Sequence, residues 1–261
     1  MSHIPPLANI MVAPNGARRS QKDHPALPIS VSETVATAKA CYEAGARALH
    51  AHVRDTNGRH VLDAGQYREL IAEMALTVPE MAVQITTESV GRYRPLEQRA
   101  LVKAVNPKHA SVALKEMTSE GFTPEVRDFY QQAHHDGIAI QHIIYSPQEL
   151  AQLHKLIEKN QIPATSLQVL LVLGRYQIKQ QSQPADLDPM LISLKQFSTP
   201  VDWAVCAFGI AETACLQYAW QQGGKARIGF ENSFWHTDGS VATDNAERVR
   251  YLQQALNAFA S

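Results

Sequence analysis

Eight apolar runs, each giving way to a helical pattern, divide this chain, and nothing else in it restricts the fold as strongly. The runs are Leu7 to Ala13, Ala46 into the His50-Ala51-His52 stretch, Met81 to Thr87 and His109 to Leu114, then Ile138 to Tyr145, Leu167 to Leu173, Val201 to Phe208 and Lys225 to Phe230. Between them stand helix signals. Ser30 with Glu33 three residues on reads as a capping box, and that helix ends at Gly45. Asp63 opens a helix through Leu76, Pro95 one through Val105, and Thr123-Pro124-Glu125 one that ends at Gly137. Ser146-Pro147-Gln148-Glu149, Asp188-Pro189, Ala211 to Gln221, and Thr243 to near Ala258 complete the series. Strand–helix units repeating at intervals of about thirty residues predict a parallel sheet. Eight of them predict an α/β fold, a single (β/α)8 TIM barrel, with residues 1–261 as one domain. An open doubly wound sheet is the rival. It usually has fewer units and is favoured by a nucleotide-type glycine loop, and neither GxGxxG nor GxxxxGK[ST] occurs here.

Composition narrows the partners. Lys and Arg number 24 against 25 Asp and Glu, a formal net charge of -1 without long charged runs. That gives no case for nucleic acid or an anionic membrane as partner. No stretch approaches the roughly 18 apolar residues of a membrane span. The first residues lack the basic and apolar regions of a signal peptide. Cys41, Cys206 and Cys215 form no CxxC pair and no disulfide framework, so a reducing, cytoplasmic compartment is expected.

In a barrel of this kind the site lies at the C-terminal ends of the strands. His50, His52, Arg54, Thr86, Thr87, Glu88, Ser111, Tyr145, Arg175 and Glu231 fall at or just past those ends. On a strand, His50 and His52 share one face, so both imidazoles can reach one ion. Strands two and eight both flank strand one, which brings Glu231 close. Two histidines, a carboxylate and an open position suit zinc, and also ferrous iron or manganese. The alternative is two histidines facing a polar barrel mouth. Arg227, inside strand eight, reads either as a clamp on a substrate carboxylate or as half of a structural ion pair. Asn15 and Gly16 could let backbone approach a ligand or simply form a turn. Arg175, in a glycine-containing loop, could meet an anion or solvent. Trp203, Cys206 and Cys215 read as packing. His134 and His135 end a helix, where a cation suits the helix dipole.

Several segments together resemble the β-keto acid cleavage enzymes, the family also known as domain of unknown function 849. They are Pro14-Asn15-Gly16-Ala17-Arg18, Asp23-His24-Pro25-Ala26-Leu27-Pro28-Ile29, His50-Ala51-His52-Val53-Arg54-Asp55 with Gly58-Arg59, and Arg227-Ile228-Gly229-Phe230-Glu231-Asn232. The combination in this order is specific and runs over nearly the whole chain. The resemblance implies a TIM barrel, a homotetramer, and one zinc per chain held by His50, His52 and Glu231. It implies that a β-keto acid and acetyl-CoA give acetoacetate and a new acyl-CoA ester, with the metal polarising the keto carbonyl. Arg227 matches the family's catalytic arginine. Asn15, Arg18, Thr86, Ser111 and Arg175 are the substrate-binding candidates.

The chain departs from the family at the residue after Glu231. The family commonly has Asp there, whereas this chain has Asn232, and a carboxamide cannot act as a general base. Either another group takes the proton, with Glu88 and Glu116 the candidates by position, or the chemistry differs; Arg227, Asn232 and Glu88 make up the expected catalytic set. The family's founding type has acids near Arg18 and Ser146 that suit a cationic substrate. Their absence here points to a neutral or anionic one. Two other readings remain: a metal-dependent hydrolase or lyase that needs no CoA, and a barrel that binds a small acid without turnover.

Overall fold

The computed structural model describes residues 4–175 and 178–258. Eight strands close into a parallel barrel in sequence order: β1 Ile10–Val12, β2 Ala48–Ala51, β3 Ala82–Thr86, β4 His109–Ala113, β5 Ala139–Ile144, β6 Gln168–Leu173, β7 Asp202–Ala207 and β8 Lys225–Ile228. Pairing of β1 with β8, Met11 opposite Arg227, closes the ring. The helices are α1 Val31–Glu43, α2 Ala64–Thr77, α3 Pro95–Val105, α4 Leu114–Met117, α5 Pro124–His135, α6 Pro147–Glu158, α7 Asp188–Leu194, α8 Glu212–Gln221 and α9 Asn245–Asn257. The (β/α)8 architecture expected from the repeat is the observed one.

Alternation along each strand sorts its side chains into two compartments. Leu49 and Ala51 of β2, Val169 and Leu171 of β6, and Ile228 of β8 pack outward against the helices in one large core. The opposite parity points into the barrel. There Leu170, Val172, Ala204, Cys206 and Ala113 form a small apolar cluster. His50, Gln84, Ser111, Gln141, Gln168 and Arg227 have the same parity and are buried as well. Buried polar side chains need partners, so the barrel axis is where function can be sought.

The local signals for helix starts hold. Ser30 and Glu33 form a reciprocal capping box on α1, and Asp63, Ser146 and Asp244 accept from backbone N–H groups in the first turns of α2, α6 and α9. Thr123 makes no side-chain cap bond on α5. Strand eight stops at Ile228 rather than running to Phe230. Gly229 adopts φ 143°, where a Cβ would sit 2.4 Å from the Ala13 carbonyl oxygen. The chain turns there, and the Glu231 N–H donates to that same oxygen at 3.1 Å. The four-residue α4 was not expected, because one helical turn is too short to show a period.

Candidate active site

Strand β2 carries His50 at its interior face, and His52 follows one step above it. Their Nε2 atoms lie 3.2 Å apart. Glu231 brings Oε2 to 3.5 Å from His50 Nε2 and 3.7 Å from His52 Nε2. These three ligand atoms lie within 4.8 Å of one another. The adjacency follows from the register, since β1 pairs with both β2 and β8.

The loop that presents Glu231 is held from several sides. Arg19 donates to the carbonyls of Phe230 at 2.7 Å and Asn232 at 3.1 Å. The Asn245 amide accepts from the Phe230 N–H and donates to the Pro14 carbonyl, tying the loop after β8 to the loop after β1. Gly16 passes so close that a Cβ would lie 2.6 Å from Glu231 Cγ, at a φ of 60° that also favours glycine. Arg54 draws the first loop inward by donating to the carbonyls of Asn15, Gly16, Arg19 and Gly58. Asn15 lines the cavity, but its amide is committed to backbone: it donates to Pro28 O and His52 O and accepts from His52 N–H.

Hydrogen bonding fixes which nitrogen of His50 is bare. Gln84 donates its amide N–H to Gln141 Oε1 at 3.0 Å, leaving its own oxygen to accept from His50 Nδ1–H at 2.8 Å. His50 Nε2 then carries a lone pair aimed at His52 Nε2 and Glu231 Oε2. The latter has no hydrogen-bond partner among the described residues. Burial, then the Arg227 charge, lowers the His50 pKa to about 4. Burial with His60 and His50 nearby takes His52 well below the usual value. Burial raises the Glu231 carboxyl, but the positive charges around it, that of Arg227 foremost, outweigh burial and hold its pKa low. Two neutral imidazoles and a carboxylate thus converge on one point with their acceptor atoms. That donor set fits a divalent cation with an open coordination position.

Around this point lies a cavity at the barrel mouth, lined by Asn15, Arg18, Thr86, Glu88, Arg175 and Arg227 among others. Arg227 uses Nη2 on Glu231 Oε1 and Cys206 Sγ, both at 3.3 Å. Its Nε and Nη1 have no partner among the described residues. Burial disfavours the guanidinium charge, but Cys206 and Glu231 push its pKa above the ordinary value. The Glu88 carboxylate lies 3.8 Å from His52 Nδ1 and 3.5 Å from Arg175 Nη2. Burial first, then Glu231, raises its pKa to about 7, against Arg175. Thr86 accepts from the Glu88 N–H through its hydroxyl.

The remaining sequence candidates fall elsewhere. Ser111 is buried below the cavity and donates a long 3.4 Å bond to Ile85 O, while Ala113, two residues on, lines the wall. Thr87 donates to Ser111 O. Glu116 accepts from the Ser89 N–H and Gln98 Nε2, which braces the loop after β3. Asn232 is buried outside the cavity lining, with neither amide atom partnered among the described residues. Sequence reasoning missed Arg19 and His60. His60 Nδ1 lies 3.3 Å from His52 Nδ1, and the only sequence signal was a turn-forming Asp55-Thr56-Asn57-Gly58 before it.

The family model of the beta-keto acid cleavage enzymes matches residues 8–260. This chain belongs to the β-keto acid cleavage enzyme family. It is 24% identical over 256 residues to a 3-keto-5-aminohexanoate cleavage enzyme of Fusobacterium nucleatum, covering 90% of this chain and 85% of that protein. It is also 24% identical over 251 residues to a 3-oxoadipate:acetyl-CoA acetyltransferase of Cupriavidus necator, covering 92% and 85%. Among solved structures, apo ObcA superposes with a TM-score of 0.70 at 14% identity, over 91% of this chain and 63% of that one. That last likeness concerns the barrel alone. Family membership makes the protein an enzyme of the β-keto acid cleavage type. No helix among the described residues is long and apolar enough to cross a membrane.

Proposed function

We propose that this enzyme exchanges acyl groups between a β-keto acid and acetyl-CoA, with zinc held by His50, His52 and Glu231. The observation that carries the reading is the set of three converging acceptor atoms beside the two Arg227 nitrogens that have no partner among the described residues. The bond between the keto carbon and the carboxymethyl carbon breaks. The carboxymethyl fragment takes the acetyl group and leaves as acetoacetate, and the remaining acyl group leaves on CoA. Bound zinc would supply Lewis-acid polarisation of the keto oxygen and stabilise developing negative charge.

The chain's own residues divide the rest of the work. Arg227 presents Nε–H and Nη1–H as a charge-assisted clamp for the substrate carboxylate or the charge that grows near it. Thr86 and the Glu88 backbone, joined by a hydrogen bond, shape the wall after β3. Glu88 is the lining carboxylate that is not a metal ligand, and it takes the proton-carrying role that the Asn232 amide cannot take. Asn15 acts by fixing the backbone of His52. Ser111 supports the layer beneath. Arg18 and Arg175 line the cavity, Arg18 exposed and Arg175 paired with Glu88 at 3.5 Å. Four lining guanidinium groups, Arg18, Arg19, Arg175 and Arg227, face two lining carboxylates, Glu88 and Glu231, which supports a neutral or anionic substrate. A single barrel domain over the whole chain, a homotetramer and a cytoplasmic setting with three buried free thiols complete the proposal.

The test is product analysis by mass spectrometry on a panel of anionic, neutral and aminated β-keto acids, with and without acetyl-CoA. Acetoacetate and a new acyl-CoA formed only with acetyl-CoA, and not by His52→Ala, is the expected result. Product without acetyl-CoA would make the enzyme a hydrolase or lyase. No product from any substrate, with metal bound, would overturn the assignment.

A further inference from the structure

His60 belongs to none of the motifs above, yet it is almost fully buried beside a metal-ligand histidine. The turn after β2 puts it there. Asp55 accepts from the Asn57 and Arg59 N–H groups through Oδ1, the Asp55 N–H donates to Arg59 O, and the chain returns antiparallel with His60 paired to Arg54. Val61 N–H donates to Val53 O and fixes the return. His60 Nδ1 then faces His52 Nδ1 at 3.3 Å.

The protons on this pair are determined by what stands beyond. His60 Nε2 lies 3.0 Å from the Glu88 carbonyl oxygen, which can only accept. His60 Nε2 therefore carries the hydrogen, and the neutral ring has a bare Nδ1. A bare Nδ1 accepts from His52 Nδ1–H. His52 Nε2 is then bare as well, and it is the atom that faces His50 Nε2 and Glu231.

We propose that His60 is a positioning residue that holds His52 in its metal-binding tautomer and ties that ligand to the loop after β3 through the Glu88 carbonyl. The proposal rests on the metal reading given under Proposed function. Like the Gln84 carboxamide, which accepts from His50 and donates to Gln141, His60 accepts from its ligand histidine and donates onward, here to the loop that bears the Glu88 carboxylate. Partners of this sort orient ligating histidines and raise their basicity.

Three substitutions separate this role from packing. His60→Asn keeps an acceptor oxygen the same number of bonds from Cα as Nδ1. His60→Gln reaches the Glu88 carbonyl but offers no acceptor at the Nδ1 position. His60→Phe keeps ring volume and removes both. Zinc affinity is measured by chelator competition, the visible spectrum is recorded with cobalt(II), and thermal unfolding is followed, beside wild type and His52→Ala. His60→Phe and His60→Gln should bind zinc about 10–100-fold more weakly with an altered cobalt spectrum, and His60→Asn should stay within about threefold of wild type. Wild-type zinc affinity in His60→Phe, or His60→Asn no better than His60→Gln, would overturn the role of His60 while leaving the metal site standing. Wild type that binds no better than His52→Ala would overturn the metal site and this proposal with it.

Discussion

Two buried clusters in this barrel use the same residue types and do opposite things. In one, Arg248 of α9 donates to Glu212 Oε2 at 2.6 Å and to Thr213 Oγ1 at 3.3 Å, and its Nη1 lies 3.0 Å from His236 Nδ1. Arg248 and Glu212 are both 0% exposed, and neither lines the cavity. In the other, Arg227, Glu231, His50 and His52 meet at the barrel mouth. Two nitrogens of Arg227 have no partner among the described residues, and three acceptor atoms face one another. The first cluster pairs its two charges directly across α8 and α9, and the atoms it leaves without a partner among the described residues, Glu212 Oε1 and Arg248 Nε, have no part in the cavity lining. In the second, the atoms without a partner among the described residues, Glu231 Oε2 and Arg227 Nε and Nη1, belong to side chains that line a cavity, where a cation and an anion would engage them. A buried polar group without a partner costs free energy, and only the second cluster has a cavity beside it in which a ligand could offset that cost.

Breaking the open cluster should cost function far more than fold. His50→Ala, His52→Ala or Glu231→Gln should lose the metal and lower kcat/KM by about a thousandfold or more, since a bound metal contributes several kcal/mol of charge stabilisation. Unfolding curves should change little, because these side chains line a cavity rather than fill the core. Metal titration alongside calorimetry checks both halves. Full zinc retention in these variants would remove the ligand assignment.

Breaking the closed cluster should do the reverse. Arg248→Ala leaves the Glu212 charge buried without its partner, which should destabilise the protein by about 3–5 kcal/mol. Denaturant unfolding measures this. The folded fraction should still bind metal with wild-type affinity, and loss of metal without loss of stability would erase the distinction between the clusters.

A smaller effect is expected from Arg227→Gln. Losing charge-assisted bonds to substrate, about 1.5–3 kcal/mol, should lower kcat/KM by roughly 10–100-fold. Zinc binding should be affected much less, and steady-state kinetics with a parallel chelator assay separates the two.

The buried histidines also make metal-free stability depend on pH. His50, His60 and His142 have pKa values of about 4 in the fold, each lowered chiefly by burial. The unfolded chain takes these protons near the ordinary histidine value, about 6.5, before the fold does. Their contribution is therefore present above that pH and is lost as pH falls toward 4. Added zinc should raise the curve and steepen its fall at low pH, because protons compete with the ion for its ligands. A stability that rises on acidification through this window would contradict the buried neutral histidines.

Much of the open cluster could be read from residue order. The eight-unit repeat gives the barrel, strand parity puts His50 and His52 on one face, and strand neighbours bring Glu231 to them. Caps such as Ser30 with Glu33 are legible because they are local. What was not legible depends on loops and depth. Parity set Ser111 inward but could not say that it lies below the cavity. Nothing in the order separates Glu88, which lines the cavity, from Glu116, which braces a loop, since neither sits on a strand. His60 is brought back by a turn whose return register the sequence does not state. Arg19 acts on the Phe230 carbonyl, 211 residues away along the chain. Arg248 and Glu212 meet only because α8 and α9 pack together.

The most direct measurement is the metal content of the purified protein by elemental analysis, with His52→Ala beside wild type. The account predicts about one zinc per chain in wild type, with none retained by His52→Ala. Wild type without metal even after incubation with zinc, or equal metal in both proteins, would contradict the reading of the open cluster as a metal centre.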